Sequence, residues 1–171
     1  MPALATPTRR PASAGAAGGT LTQATPAKTA PIVAAVDGSS SNRGAVEFAV
    51  KLATELKAPL VFVYVRRGPF GLLGTPFFQR RLTAAMSHAR RILARALRSA
   101  ERGGVAAEGE ILEGAPRKRI LELAADREAR LIVVGSRRHR FSRSVSCGLM
   151  RTAQRPVVVA RSSRPVLASA P

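Results

Sequence analysis

The chain is poor in the residues that most often mark a catalytic or metal site. It has one cysteine, Cys147, in 171 residues, so an intramolecular disulfide and a metal cluster built on several cysteines are both excluded. Its two histidines, His88 and His139, lie far apart and offer no zinc-ligand spacing. Six Phe, one Tyr and no Trp leave the core to Val, Leu, Ile and Ala. No run approaches the roughly 20 apolar residues that span a bilayer. The N-terminus lacks the apolar stretch of a secretory signal. A reducing, cytoplasmic setting with no membrane partner is therefore expected. Acids are scarce too: ten Asp and Glu stand against 28 Lys and Arg, for a net charge of +18. Such a field draws nucleotides, nucleic acid and acidic surfaces alike, without choosing among them. Most of the bases are arginine, a bias that a GC-rich genome produces as readily as function does.

What is present is a regular alternation. Residues 1–30 are mostly Ala, Thr, Pro, Gly and Ser with three bases and no acid, too few apolar groups to offset ordering entropy. They read as a disordered basic tail, the folded domain as residues 31–161, and residues 162–171 as a frayed end. Ile32 to Val36 reads as a buried strand. A helix to about Lys57 follows, capped by Ser41 or Asn42, with Ala45, Phe48, Ala49, Leu52, Ala53 and Leu56 on its apolar stripe. Leu60 to Val65 is a second strand, and residues 66–78 a loop rich in Gly, Pro and Phe. A long helix from about Gln79 to Arg102 carries arginines over its outer surface and ends at Gly103-Gly104. Val105 to Glu113 alternates as a strand nearer an edge, and a helix spans about Arg117 to Glu128. Leu131 to Val134 is four aliphatic residues in a row, suited to a strand buried on both faces. A short helix from about Ser144 to Ala153 then leads to a last strand, Val157 to Ala160. The pattern predicts an α/β fold: an open, mainly parallel sheet of five strands with helices on both faces.

Open sheets of this kind bind ligands outside the carboxyl ends of their strands. Three segments meet that edge. Asp37 ends the first strand within Val-Asp-Gly-Ser, and could hold a ribose hydroxyl, a base amine or magnesium, or simply shape the helix start. Gly135 and Ser136 end the fourth strand, ahead of Arg137, Arg138, His139, Arg140 and Arg143. A small residue admits backbone N–H groups to a phosphate, and arginines add charge and forked donors. A solvated basic loop accounts for the same residues. Catalytic patterns are missing: there is no Gly-x-Ser-x-Gly elbow, no Gly-x-x-x-x-Gly-Lys-Ser/Thr loop and no Gly-x-Gly-x-x-Gly turn. No catalytic residue and no metal site are assigned.

From Pro31 to Arg161 the chain resembles the universal stress protein (UspA-like) family. The resemblance is carried by Ile32-Val33-Ala34-Ala35-Val36-Asp37-Gly38-Ser39, by Leu131-Ile132-Val133-Val134-Gly135-Ser136-Arg137, by Ser144-Val145-Ser146 and by Arg155-Pro156-Val157-Val158-Val159. It implies a Rossmann-like sheet of the adenine-nucleotide α-hydrolase type, with strand order 3-2-1-4-5. It also implies a homodimer through the last strand (Val157, Val158, Val159), a role in stress response and, in some members, bound ATP with Mg. An activity beyond slow ATP hydrolysis is not implied. The family's ATP motif is Gly-x-x-Gly, nine residues, then Gly-Ser/Thr. Gly135 matches its first glycine, but Arg138 stands at the second. Aligning Ser144-Val145-Ser146 with the family's Ser-Val-Ser puts Arg143 at the last glycine and shortens the loop by about five residues. The other alignment keeps the nine-residue spacing, uses Gly148, and puts Leu149 at the Ser/Thr. By resemblance Asp37 lies at the base side, Val65 beside the adenine, and Ser144 and Val145 at the phosphates. Arginine cannot simply replace a backbone cradle, so ATP binding is expected to be weakened or lost. A second class remains, a nucleic-acid or polyanion-binding module that uses the arginine-rich surface.

Overall fold

The central strand β1 (Ile32–Ala35) is short and wholly aliphatic because helices cover both of its faces. In the computed structural model, residues 29–67, 76–135 and 145–160 are described, with the backbone alone for residues 40, 41, 76 and 77. The remaining elements are α1 (Ser40–Leu56), β2 (Leu60–Arg66), α2 (Pro76–Arg102), β3 (Ala107–Glu113), α3 (Pro116–Asp126), β4 (Leu131–Gly135), α4 (Val145–Thr152) and β5 (Val157–Ala160). Every described strand pair is parallel, and the sheet order is β3-β2-β1-β4-β5. The expected fold and strand order are therefore those observed.

Strand alternation divides the core into two layers. Ile32, Ala34, Leu60, Phe62 and Val133 face α1 and α2, while Val33, Val61, Val63, Ile132 and Val134 face α3 and α4. Phe62 is fully buried, and burying a side chain of that kind contributes about 1.5–3 kcal/mol. Alanines on α1 and α2 (Ala45, Ala49, Ala96, Ala100) let these helices lie close to the sheet.

Several boundaries move, each for a local reason. α2 begins at Pro76, earlier than the predicted Gln79, because proline suits a first turn whose N–H groups have no helical partner. β3 begins at Ala107 rather than Val105, whose N–H bonds Ala100 O (3.0 Å) and closes the end of α2. Gly104, at φ +64, makes the turn there, and a side chain on Gly103 would strike Val50. Phe48, expected on the inner stripe of α1, is exposed instead. It fits the helical period, but the adjacent Ala45, Ala49 and Ala53 already fill the contact with the sheet. The predicted caps Ser41 and Asn42 are also corrected. α1 starts at Ser40, with Ser39 before it, and Ser39 makes no side-chain cap bond. Asn42 is buried (6% exposed), and its Nδ2 donates to Ala35 O at 3.2 Å. The last carbonyl of β1 is thus satisfied where its ladder ends, since buried carbonyls need a partner. Of the expected tails, 1–30 and 162–171, all but residues 29 and 30 lie outside the described residues, as does the connection 136–144.

Candidate functional site

The register of the three central strands fixes the carboxyl edge. Ala35 pairs with Val63 of β2 and with Val134 of β4. Two residues on from Ala35 is Asp37, two on from Val63 is Val65, and one on from Val134 is Gly135, so all three reach one edge. Val65 is half-buried and packs on the α3–α4 side. Gly135 pairs with Ala160 of β5. Val145 is exposed at the first turn of α4. Ser136, Arg138, Arg143 and Ser144, the other expected site residues, lie outside the described residues.

Asp37 is exposed, and one of its oxygens, Oδ1, accepts from Ser39 N (2.9 Å) and from Ser39 Oγ (2.6 Å). This short-range turn is typical of aspartate beside a helix start. It holds a carboxylate at the edge. Gly38 completes the turn at φ +74, in the left-handed region that glycine enters at little cost. A Cβ on Gly38 would lie 2.5 Å from Ile92 Cδ1. The site loop therefore rests directly on α2, where a larger residue than glycine would have to displace the Ile92 side chain.

The α2 side of the same edge holds polar groups that the sequence pattern alone did not join. Tyr64 and His88 meet edge to face, with ring centroids 6.3 Å apart. Arg66 ends β2 with its side chain largely buried and ion-paired to Glu113 at the end of β3. Its Nη1 is buried without a hydrogen-bond partner. Alternation along β2 puts Tyr64 and Arg66 on one face, a signal present in the sequence. The meeting of Tyr64 with His88 depends on how α2 is seated, which the sequence does not state. Asn42 reads from the sequence as a cap, whereas its side chain closes the end of β1. Among the described residues no group of three or more His, Cys, Asp or Glu is placed to hold a metal ion.

The alternative alignment through Gly148 meets an obstacle. α4 begins at Val145, so Gly148 is its fourth residue, inside the helix. A Cβ there would lie 2.8 Å from Arg117 Cδ of α3. Leu149 is fully buried in the α3–α4 core layer. Gly148 thus lies within a helix, beside the Arg117 side chain of α3.

A cavity of about 1160 Å³ opens at the opposite, amino end of the strands, lined by Thr29, Pro31, Lys57, Gly104, Glu108 and Asp126 among others. Ligand chemistry in open parallel sheets belongs to the carboxyl edge, and this cavity shares no residue with it.

Comparison with known proteins agrees with this architecture. A model of the universal stress protein family matches residues 29–161. A universal stress protein family structure from Burkholderia pseudomallei is 29% identical, with TM-score 0.67, covering 81% of this chain and 100% of that one. A universal stress protein solved in complex with cAMP is 25% identical (TM-score 0.65; 78% of this chain, 97% of that one). The universal stress protein from Archaeoglobus fulgidus in complex with dAMP is 23% identical (TM-score 0.64; 78% and 99%). Comparison with curated proteins gives no match.

The seating of Gly38 is open to measurement. Gly38→Ala should lower stability in urea by about 1–3 kcal/mol, from the strained φ and the collision with Ile92. Adding Ile92→Ala should recover part of that loss as a coupling of about 0.5–3 kcal/mol. Strict additivity of the two changes would show that the loop does not rest on α2.

Proposed function

The chain belongs to the universal stress protein family, and from that premise we propose that it is a cytoplasmic stress-response protein whose sheet-edge site descends from a nucleotide site but has lost, or greatly weakened, ATP binding. The carrying observation is the position of Gly148 inside α4. With β4 ending at Gly135 and α4 starting at Val145, the connection is residues 136–144. Its sequence, Ser-Arg-Arg-His-Arg-Phe-Ser-Arg-Ser, contains no glycine. A phosphate cradle made of backbone N–H groups needs close approach and left-handed φ, both of which glycine supplies and arginine resists.

In this reading Asp37 stands at the base and ribose side and Val65 beside the base. Gly135, Ser136, Ser144 and Val145 flank the phosphate end, with Arg138 and Arg143 in place of the glycines. Magnesium would enter only with the phosphates. The protein then acts through contacts rather than through turnover.

The same reading makes it a homodimer through β5. The two sheet edges differ in chemistry. β3 carries Glu108, Glu110 and Glu113, charges that discourage pairing, while β5 is Val-Val-Val-Ala. Phe48 and Met150 are exposed on α1 and α4, the two helices that contact β5. Pairing of β5 across a two-fold axis would extend the ladder and cover apolar surface.

Calorimetric titration of nucleotide-free protein with Mg-ATP, at about 150 mM salt, should give no saturable heat in the micromolar range. Saturable binding that Asp37→Ala abolishes would instead mean that the arginines rebuilt the phosphate site. For the dimer, sedimentation should give twice the chain mass for the wild type, and Val158→Lys should shift it to the monomer. A wild-type monomer at tens of micromolar would exclude the β5 pairing.

A further inference from the structure

α2 carries its charge in a line. Arg91, Arg95, Arg98 and Arg102 recur at intervals of four, three and four residues, and all are exposed. At 3.6 residues per turn this spacing stacks them on one face, about 16 Å long at 1.5 Å per residue. Arg80 falls on the same line further back, extending it to about 33 Å. The line is opposite the buried face made by Ala89, Ile92, Leu93, Ala96 and Ala100, so it points straight out from the sheet.

These charges are not used by the fold. Among the described residues, the ion pairs join acids to Lys51, Arg66, Lys118, Arg119 and Arg127, and none reaches α2. The contact recorded within the line is Arg102 Nε donating to Arg98 O at 3.3 Å. Glu101 is the one acid of the helix and lies three residues after Arg98, within side-chain reach, but among the described residues no ion pair joins it to the line. Four exposed guanidinium groups along one helix face leave donors for an outside acceptor, and their summed field attracts an anion whose charges repeat along the same line.

The neighbouring residues decide which anion. From Arg80 to Arg102 there is no Phe, Tyr or Trp, and His88 is the one ring, so the line offers unpaired bases little to stack on compared with the row of donors it offers to phosphates. A helix lying on an anionic membrane needs its apolar face for the lipid, and the apolar face of α2 is committed to the sheet. What remains is a rigid row of forked donors that suits phosphate oxygens and reads no base edge.

We propose that the arginine line of α2 is a docking surface for the phosphodiester backbone of a nucleic-acid duplex, bound without sequence preference. The line lies on the outer face of α2, whereas Gly38 meets the inner face at Ile92, so the proposal does not depend on whether the carboxyl edge binds a nucleotide.

The test is fluorescence anisotropy with the full chain and a labelled DNA duplex of about two turns, or about 20 base pairs, over a salt series. Three variants are compared. In the first, Arg91, Arg95, Arg98 and Arg102 are all changed to Gln, which keeps helix propensity. In the second they become Lys, keeping charge. In the third, Lys51, Lys118, Arg130 and Arg155, exposed bases elsewhere, become Gln. Circular dichroism checks each fold. Loss of four phosphate contacts should make the slope of log K against log salt shallower by about three to four in the first variant. Its affinity should fall at least tenfold at about 150 mM salt. The Lys variant should retain most of the wild-type slope, and the displaced-charge variant should bind nearly as the wild type. Equal losses in the first and third variants would reduce the effect to net charge and overturn the proposal. So would tighter binding to single strands of the same length or to anionic vesicles, or no duplex binding by the wild type.

Discussion

Burial of β1 on both faces is the constraint on which the rest of the structure depends. Ile32 and Val33 are fully buried, one toward α1 and α2 and the other toward α3 and α4. The strand can therefore bring no polar side chain into its length, and its chemistry is confined to the residues after its end. Parallel pairing with β2 and β4 then levels three strand ends. Asp37, Val65 and Gly135 share an edge because the ladder leaves them no other place. Asn42 closes the carbonyl at the end of β1, and Gly38 lets the turn settle on Ile92.

The edge supplies position, while the connections supply the ligand. Asp37 occupies the first connection and shapes it through Ser39, which fixes a carboxylate in place at low entropic cost. In the second connection the residue type matters more than the charge. Glycine lends backbone donors to a phosphate at contact distance, whereas arginine reaches from a longer stem and fills the space that a cradle needs. A strongly basic loop can thus be a poor nucleotide site. The acids of the protein follow a similar division of labour: Glu108 and Glu110 hold Arg127 and Glu113 holds Arg66, leaving the arginines of α2 to solvent.

Much of this was legible in the sequence. Four aliphatic residues bounded by glycine and serine mark β4, and the alternation of strand and helix gives the layered parallel sheet. Asp37 after β1 and Gly135 at the end of β4 fall at one edge because open parallel sheets arrange their strand ends so. Other features depend on geometry that residue order does not carry. Phe48 keeps the helical period yet faces out, since small neighbours already fill the contact. Asn42 occupies a capping position by sequence and a strand-end position by structure. Gly148 satisfies a motif by count alone, and only the start of α4 at Val145 shows that it belongs to a helix packed on Arg117.

The claim that the connection between β4 and α4 decides nucleotide binding can be isolated by exchanging that connection alone. In the grafted chain, glycine would stand at positions 138 and 143 and about five residues would be added between them, restoring the glycine spacing of ATP-binding members while the edge stays as it is. The measurement is the dissociation constant for Mg-ATP of the grafted chain beside the wild type, with both confirmed folded. The account predicts binding at least tenfold tighter in the graft. Equal affinity in the two folded chains would contradict it.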